Sequence, residues 1–306
     1  MDLVSWLLEG DPAIRWRVLQ DLTGASARQV SRERALVAKE GWGARLLAAQ
    51  DDDGGWGEGV YAPKWTSTTY TLLRLLWLGL PSDHPAARRG CEQLWAWQRR
   101  WRVPETCIVS ILVRLTSFFG YRENKLDELV HHLLDQQLDD GGWNCATLTD
   151  KGKHSSFHTS IQALEALDAY SRSGGSIDTA EAAERGREFF LAHKLYQSHR
   201  TGAVAVRGST KFPAFPEWHF DVMRGLEYFH ESGARGAGPE GRGAGETGRD
   251  PRLGDAVEVI RKARRRDGTW STYTQYAGRQ WFRIEDPGAS RWNTRRALGI
   301  LRWWDS

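Results

Sequence analysis

A short pattern, Q-x3-G-x-W, recurs along the chain and limits the folds that the sequence can adopt. Complete copies occupy residues 50–56 and 137–143, and residues 264–270 keep D-G-x-W with Arg264 in place of glutamine. We call these segments the repeat loops. Asp-Gly is typical of a positive-φ turn that ends a helix. We expect the tryptophan that follows to pack back over the first side chain of the loop and to tie one helix pair to the next, a role in packing rather than in catalysis.

Each repeat loop lies between two stretches with helical periodicity. The stretches before the loops are amphipathic, whereas those after them are richer in leucine and aromatic residues. The stretches before are 33–50, 126–137 and 253–266, and those after are 65–80, 157–172 and 291–304. Two further pairs, 89–98 with 105–119 and 185–191 with 217–230, follow the same order, and helical turns at 2–9 and 12–23 precede them all.

The alternation of amphipathic and apolar helices predicts two concentric layers, in which outer helices shield inner ones. No segment alternates polar and apolar residues with period two over any length, so we expect almost no sheet. The predicted fold class is all-α, with residues 1–306 forming a single domain. Residues 232–251 are rich in glycine and poor in apolar side chains, which predicts a disordered surface insertion.

Composition excludes several classes of protein. The 306 residues contain no apolar run of about 18 residues, so no transmembrane helix is expected, and the N-terminus lacks the pattern of a signal peptide. Three cysteines are too few for a disulfide framework, which favours a reduced, cytoplasmic protein. A net charge of +3 does not favour a nucleic-acid partner. The sixteen tryptophans indicate a repeated structural residue or an aromatic cavity.

The repeat loops between paired helices resemble the QW repeats of squalene–hopene and oxidosqualene cyclases. These enzymes belong to the α/α-toroid superfamily, which also includes the β subunits of protein prenyltransferases. Over residues 33–306 the resemblance implies a single α/α toroid of about five to six helix hairpins around a central cavity. The repeats carry the scaffold and not the chemistry. The acidic D-x-D-D motif of the cyclases has no counterpart here, and we expect residues 51–53 to cap a turn.

Prenyltransferase β subunits hold zinc through a D-x-C motif at the start of one inner helix and a histidine at the start of a later one. Glu105 and Cys107 (in Glu-Thr-Cys) and His158 occupy similar places in this sequence. The resemblance thus implies a zinc site of Glu105, Cys107 and His158 with one open position. The alternative is that Cys107 is a small buried side chain and that His158 bonds to a neighbouring loop. Cys145 directly follows a repeat loop and could approach the same place.

Another polar group opens the predicted helix at 217–230. Glu217 and Asp221 lie four residues apart on one helical face with His219 between them, which suggests an acid/base cluster or a further metal ligand. The alternative is that both carboxylates stabilise a helix N-terminus. The candidate catalytic residues are therefore Glu105, Cys107, His158, His219 and Asp221.

Aromatic residues concentrate near the starts of the predicted inner helices, where a toroid would place its cavity wall. The candidate substrate-binding aromatics are Trp65, Tyr70, Phe157, Trp218, Trp281 and Trp292. Core packing explains about half of this aromatic set equally well. Residues 273–283 are expected to fold over the cavity rim, with Arg279 and Arg283 available for an anion such as diphosphate.

The function we expect is that of a terpene cyclase- or prenyltransferase-like enzyme that acts on an isoprenoid or similarly apolar substrate. Two alternatives stay open at this point: a non-catalytic toroid that binds a lipid or a peptide, and an α/α-barrel enzyme acting on carbohydrate. The sequence also leaves open a peripheral membrane contact and the oligomeric state.

Overall fold

The computed structural model describes residues 2–100, 105–121, 123–145, 152–233, 249–273 and 276–306. Most of the predicted insertion at 232–251 lies outside these ranges. Helices dominate the described residues, which confirms an all-α fold. The α-helices are α1 (Leu3–Leu8), α2 (Pro12–Leu22), α3 (Ala27–Ala35), α4 (Gly41–Ala48), α5 (Thr68–Leu78), α6 (Pro85–Gln98), α7 (Thr106–Phe118), α8 (Leu126–Asp135), α9 (Phe157–Arg172), α10 (Ala180–Ala192), α11 (Val222–Gly233), α12 (Gly254–Lys262) and α13 (Arg291–Asp305).

Short elements complete the described chain. Two 3₁₀ helices occupy Leu36–Ala38 and Pro251–Leu253, and two strands, β1 (Trp270–Ser271) and β2 (Ala289–Ser290), pair antiparallel. This sheet is as small as the sequence pattern predicts. None of the helices in the described ranges combines the length and the apolar character that crossing a membrane requires.

Most helix bounds lie within a few residues of the predicted ones, and two differences have a local cause. The predicted helix at 33–50 is divided between α3, a 3₁₀ turn and α4, because Gly41 has a φ of 65° and breaks the helical path. Helix α11 begins at Val222 rather than at residue 217, because Glu217 has a φ of 55°. Gly41 thus redirects the chain at the first residue of α4, and Glu217 does so five residues before α11.

The repeat loops share one geometry. In each loop the tryptophan is buried and its indole N–H donates to the carbonyl ten residues earlier. The three bonds are Trp56 to Leu46 (2.8 Å), Trp143 to Leu133 (2.7 Å) and Trp270 to Ile260 (2.8 Å). The glycines that close the three turns, Gly54, Gly141 and Gly268, have φ values of 87°, 90° and 87°. The predicted packing role of these tryptophans is confirmed.

The glutamine of each complete loop joins two helices. Gln137 Nε2 donates to the carbonyls of Gly141 (2.7 Å) and Ala182 (2.8 Å), and so links the end of α8 to α10. Gln50 forms the same two bonds between the end of α4 and α6. In the third loop Arg264 Nε reaches the carbonyl of Gly268 at 3.2 Å. In each of the first two loops, the glutamine amide thus bridges its own turn and a later helix.

Six helices contact one another in succession and line one cavity, which we call the central cavity. Helix α5 packs on α7, α7 on α9, α9 on α11, α11 on α13, and α13 on α2. The indole of Trp16 in α2 donates to the carbonyl of Leu78, the last residue of α5, at 2.9 Å. The central cavity has a volume of about 480 Å³. In α5, α7 and α9, the helical lining residues belong to the C-terminal half of the helix.

Candidate functional site

Two of the predicted metal ligands lie together at the start of α7, and Cys145 joins them. Cys107 Sγ is 3.9 Å from Glu105 Oε2, and the backbone N–H of Cys107 donates to Cys145 Sγ at 3.1 Å. The three ligand atoms of Glu105, Cys107 and Cys145 lie within 4.8 Å of one another. We call these residues the thiol cluster. The hydrogen bond between the thiols lowers the pKa of Cys145 to about 7, although burial acts in the opposite direction. The same hydrogen bond and, after it, burial raise the pKa of Cys107.

His158 lies outside the thiol cluster. Its Nδ1 accepts the backbone N–H of Phe220 at 2.8 Å, so the neutral ring carries its proton on Nε2. Burial lowers the pKa of His158 to about 4 and that of His219 to about 3. Both imidazoles are therefore neutral near pH 7, and neither nitrogen of His158 offers a free lone pair to a metal in this arrangement.

The predicted aromatic residues at the helix starts pack mainly on one another. The ring of His219 stacks between Trp218 (3.7 Å between centroids) and Tyr276 (3.5 Å). Trp65 lies 6.0 Å from His219 and meets Tyr70 edge-on at 4.8 Å. These five residues form what we call the aromatic cluster. Offset and edge-on packing of this kind stabilises a closed core and leaves the faces of the inner rings covered.

The segment from Tyr276 to Arg283 lies against the start of α5. The indole of Trp65 donates to the carbonyls of Tyr276 (3.1 Å) and Ala277 (2.9 Å), and the indole of Trp281 donates to Thr71 Oγ1 at 3.0 Å. The segment thus covers the aromatic cluster. Residues 274 and 275 of the predicted rim segment 273–283 lie outside the described ranges.

Arg279 and Arg283 do not face the cavity. Their side chains are 66% and 68% exposed, and each approaches an even more exposed carboxylate, Glu58 at 3.9 Å and Asp286 at 3.5 Å. Exposed pairs of this type contribute little to stability and hold no fixed geometry. The structure therefore provides no enclosed anion site around these two arginines.

The remaining predicted aromatics have separate environments. Phe157 packs among Phe189, Phe190 and Phe220, with ring centroids 5.2–5.6 Å apart, and is a core residue between α9 and α10. Trp292, in contrast, lines the central cavity. It is the one member of the predicted site residues among the cavity-lining residues of the described chain. The other predicted site residues therefore lie outside the lining of the central cavity.

Glu217 links the helix starts to the interior. Its backbone is in the left-handed region, its side chain is 3% exposed, and Oε1 accepts from Arg74 Nη2 at 2.5 Å and Nε at 3.1 Å. Oε2 is buried without a hydrogen-bond partner among the described residues. Burial raises the pKa of Glu217 to about 7, although the charge of Arg74 acts in the opposite direction. A strained, buried carboxyl that titrates near neutrality is typical of a functional position.

Asp221 is the second buried carboxyl of this region. It is 1% exposed, and Oδ1 accepts the backbone N–H of Arg224 at 2.9 Å. Within the described residues Oδ2 has no hydrogen-bond partner. Burial raises its pKa, against the attraction of Arg296 and Arg224. Asp221 therefore lies close behind two arginines of the cavity wall and holds a proton more readily than an ordinary aspartate.

The central cavity is rich in charge rather than apolar. Seven arginines and five carboxylates line it, which leaves an excess of positive charge, and Trp16, Trp77 and Trp292 supply flat apolar walls. The arginines are Arg17, Arg34, Arg114, Arg172, Arg224, Arg295 and Arg296. The carboxylates are Asp21, Glu165, Asp168, Glu227 and Glu231. Guanidinium groups in this number favour a ligand that carries negative charge.

Ion pairs occupy part of this arginine set. Arg224 forms two bonds with Glu165, of 3.0 and 2.5 Å, and Arg114 reaches the same carboxylate at 2.6 Å. Arg296 forms a bidentate pair with Glu227, from Nε to Oε1 at 2.9 Å and from Nη2 to Oε2 at 2.7 Å.

Two other cavity arginines each have one side-chain donor that has no partner among the described residues. The Nε atoms of Arg17 and Arg295 are buried and have no hydrogen-bond partner within the described residues. Burial lowers the pKa of Arg295 to about 10, so it remains charged near pH 7. Their terminal nitrogens form long ion pairs, Arg17 with Glu231 at 3.4 Å and Arg295 with Glu227 at 3.7 Å. These two arginines are the candidates to receive an anionic group, because the Nε donor of each is not already committed.

The cavity arginines are not among the site residues predicted from the sequence, although the sequence around one of them carries a signal. Arg114 interrupts a run of isoleucine, leucine and valine in a helix predicted to be inner, and Arg74, the partner of Glu217 outside the cavity lining, interrupts a similar run of leucines. An arginine with apolar neighbours on both sides along a buried helix must find a counter-charge inside the protein.

Fold and site together define a mostly helical protein with an arginine-lined central cavity. No family model matches the chain, and no curated protein matches it. One solved structure, described as the crystal structure of a protein from Actinoplanes, is similar to 96% of this chain over 90% of its own length, with 16% sequence identity and a TM-score of 0.46.

Proposed function

We propose that the chain is an α/α toroid whose central cavity binds an amphiphilic anion of the isoprenoid diphosphate class. In this arrangement α2, α5, α7, α9, α11 and α13 form the inner layer, and the repeat loops tie the outer helices to one another. The contacts between successive inner helices and the shared geometry of the three loops support this architecture.

The composition of the cavity wall is the observation that carries the proposal. A volume of about 480 Å³ lies in the range of roughly 300–1,000 Å³ that small-molecule sites occupy. A purely apolar ligand would leave the buried Nε donors of Arg17 and Arg295 without a partner, which is costly. A small inorganic anion would leave the tryptophan walls unused. A ligand with an anionic head and an apolar body satisfies both parts of the wall.

The reaction we propose is of the terpene cyclase or prenyltransferase kind. Arg17 and Arg295 would hold the anionic head, and the indole faces of Trp16 and Trp292 would contact the apolar body and stabilise positive charge that develops on it. Asp221 lies behind Arg224 and Arg296 rather than in the cavity wall, and we propose it as the proton source because its raised pKa favours the protonated carboxyl; the proton would reach the ligand through a water in the cavity. The enzyme would then start its reaction without a D-x-D-D motif.

A thermal-shift panel tests the binding step with four probes: geranylgeranyl diphosphate, geranylgeraniol, inorganic pyrophosphate and an oligogalacturonate. The diphosphate ester is expected to raise the Tm in a concentration-dependent manner, and the alcohol and pyrophosphate to raise it less. No shift with the diphosphate ester would refute the proposed ligand class.

Product analysis by mass spectrometry tests the reaction. We expect wild type to convert the diphosphate ester, and Asp221→Asn to retain the thermal shift while losing product. Unchanged turnover in Asp221→Asn would remove the role of Asp221. A thermal shift without any product in wild type would support the binding-protein alternative.

The five cavity carboxylates favour a second candidate, an enzyme acting on an acidic carbohydrate. Tryptophan faces stack on sugar rings, arginines pair with uronate groups, and two carboxylates can act as acid and base in glycoside cleavage. A thermal shift with the oligogalacturonate and none with the diphosphate ester would establish this candidate instead.

A further inference from the structure

We propose that the thiol cluster, Glu105, Cys107 and Cys145, binds a zinc ion. This site differs from the set that the prenyltransferase resemblance implies, because Cys145 takes the place of His158. It lies at the start of α7, among the helix starts rather than in the central cavity, so it is independent of the proposed function.

The distances suit a tetrahedral ion. Two ligands about 2.2 Å from a zinc ion, at the tetrahedral angle, lie about 3.6 Å apart. Cys107 Sγ and Glu105 Oε2 are 3.9 Å apart, and all three ligand atoms lie within 4.8 Å of one another. Small side-chain rotations would bring them to bonding distance. Among the described residues the cluster supplies three ligands, the number found in zinc sites that keep one position open for water or substrate.

The surroundings of the sulfurs also suit a thiolate pair. The backbone N–H of Cys107, in the first turn of α7, donates to Cys145 Sγ at 3.1 Å, and Thr159 Oγ1 lies 3.6 Å from the same sulfur. Hydrogen bonds to ligating sulfur from backbone and hydroxyl groups orient the ligand and tune its basicity. Glu105 is exposed and both cysteines are partly exposed, so an ion can enter from solvent.

His158 has a different role in the structure. Its Nδ1 accepts the N–H of Phe220 and so fixes the loop before α11, while its ring meets Trp218 edge-on at 5.3 Å. Ligation through Nε2 would place the ring proton on Nδ1, opposite the Phe220 N–H, and would break that bond. We therefore assign His158 a structural role and Cys145 the ligand role.

Zinc titration of the reduced full-length protein, followed with a competing chelator dye, tests the assignment. Wild type, Cys91→Ser and His158→Gln should bind one equivalent. Cys107→Ser, Cys145→Ser and Glu105→Gln should lose more than the roughly 10–100-fold in affinity that loss of an outer hydrogen-bond partner costs. Thr159→Val should fall in that smaller range.

Thiol labelling provides a readout that needs no variant to fold. Cys91 is fully buried and should not react in the native protein, whereas Cys107 and Cys145 should react without metal and become protected by zinc. Cobalt in place of zinc should give a thiolate-to-metal charge-transfer band. Absence of zinc binding by reduced wild type, or zinc loss in His158→Gln with retention in Cys145→Ser, would overturn the proposal. A Cys107–Cys145 disulfide that forms in the presence of excess zinc would also overturn it.

Discussion

At the scale of single residues, Glu217 has the most unusual combination of properties in the described chain. Its backbone has a positive φ, and its carboxylate pairs with Arg74 inside the protein. Arg224 of α11, Tyr70 of α5 and Tyr276 also lie near enough for their charges or dipoles to act on it. A buried carboxyl of this kind makes stability depend on pH.

The direction of that dependence follows from the raised pKa. Between about pH 5 and pH 7 the folded protein binds more protons at Glu217 than the unfolded chain, so this group stabilises the fold at low pH and loses that contribution as the pH rises towards 7. Glu217→Gln removes this pH-dependent contribution to stability. From about pH 5 to pH 8 the difference in unfolding free energy should shift in favour of Glu217→Gln by about 1–3 kcal/mol.

Urea denaturation of both proteins at the two pH values measures this shift. The exposed Glu258, which pairs with Arg261 on the surface, provides the matched control, and Glu258→Gln should follow the wild-type pH dependence. Parallel stability curves for wild type and Glu217→Gln would contradict the assignment of a raised pKa.

At the scale of elements, the repeat loops determine how the helices are connected. In the complete loops the glutamine amide supplies donors to two carbonyls, one in its own turn and one in a later helix. In the third loop Arg264 supplies one weaker bond from an exposed position. The three loops therefore provide an internal comparison within one protein.

Gln137→Ala leaves the carbonyls of Gly141 and Ala182 without their donor, so the free energy of unfolding should fall by about 1–3 kcal/mol. Gln50→Ala should do the same for Gly54 and Ala86. Arg264→Ala should change stability by about 0.5 kcal/mol, as expected for a surface side chain. Chemical denaturation measures all three. Equal losses in the three loops would show that the shared amide has no special role.

The helices and the repeat loops were the most predictable part of the structure. Helix bounds and the packing role of the tryptophans followed from periodicity and from the turn chemistry of Asp-Gly, because both are local properties of the sequence. The break at Gly41 and the late start of α11 were not predicted. A positive φ at Glu217 depends on its buried partner Arg74, which lies far away in sequence.

The site was less predictable than the fold. Glu105, Cys107 and Asp221 are visible in sequence because they mark helix starts, whereas the proximity of Cys145 to Cys107 depends on how α7 meets a repeat loop. The cavity arginines come from six different helices, and only their packing shows that they face one another.

At the scale of the whole molecule, α2 contacts both α5 and α13, the first and the last helices of the series that lines the cavity. It packs on α13, and Trp16 bonds to the end of α5. Removing residues 1–24 would expose both of those faces, and we expect the truncated chain to unfold at clearly lower urea concentration with a broader transition. Trp16→Phe keeps the packing and loses one hydrogen bond, so it should cost about 1 kcal/mol. Circular dichroism in urea measures both. An unchanged transition in the truncated chain would contradict this structural role of α2.

The central claim is that the cavity arginines receive an anionic head group. Isothermal titration of geranylgeranyl diphosphate into wild type, Arg17→Gln and Arg261→Gln tests it most directly. Arg17 lines the cavity with an uncommitted Nε, whereas Arg261 pairs with acidic residues on the surface. We predict that Arg17→Gln binds at least about tenfold more weakly, a difference of about 1.4 kcal/mol, and that Arg261→Gln binds as wild type does. Equal affinity in all three proteins, or no binding by wild type, would contradict the claim.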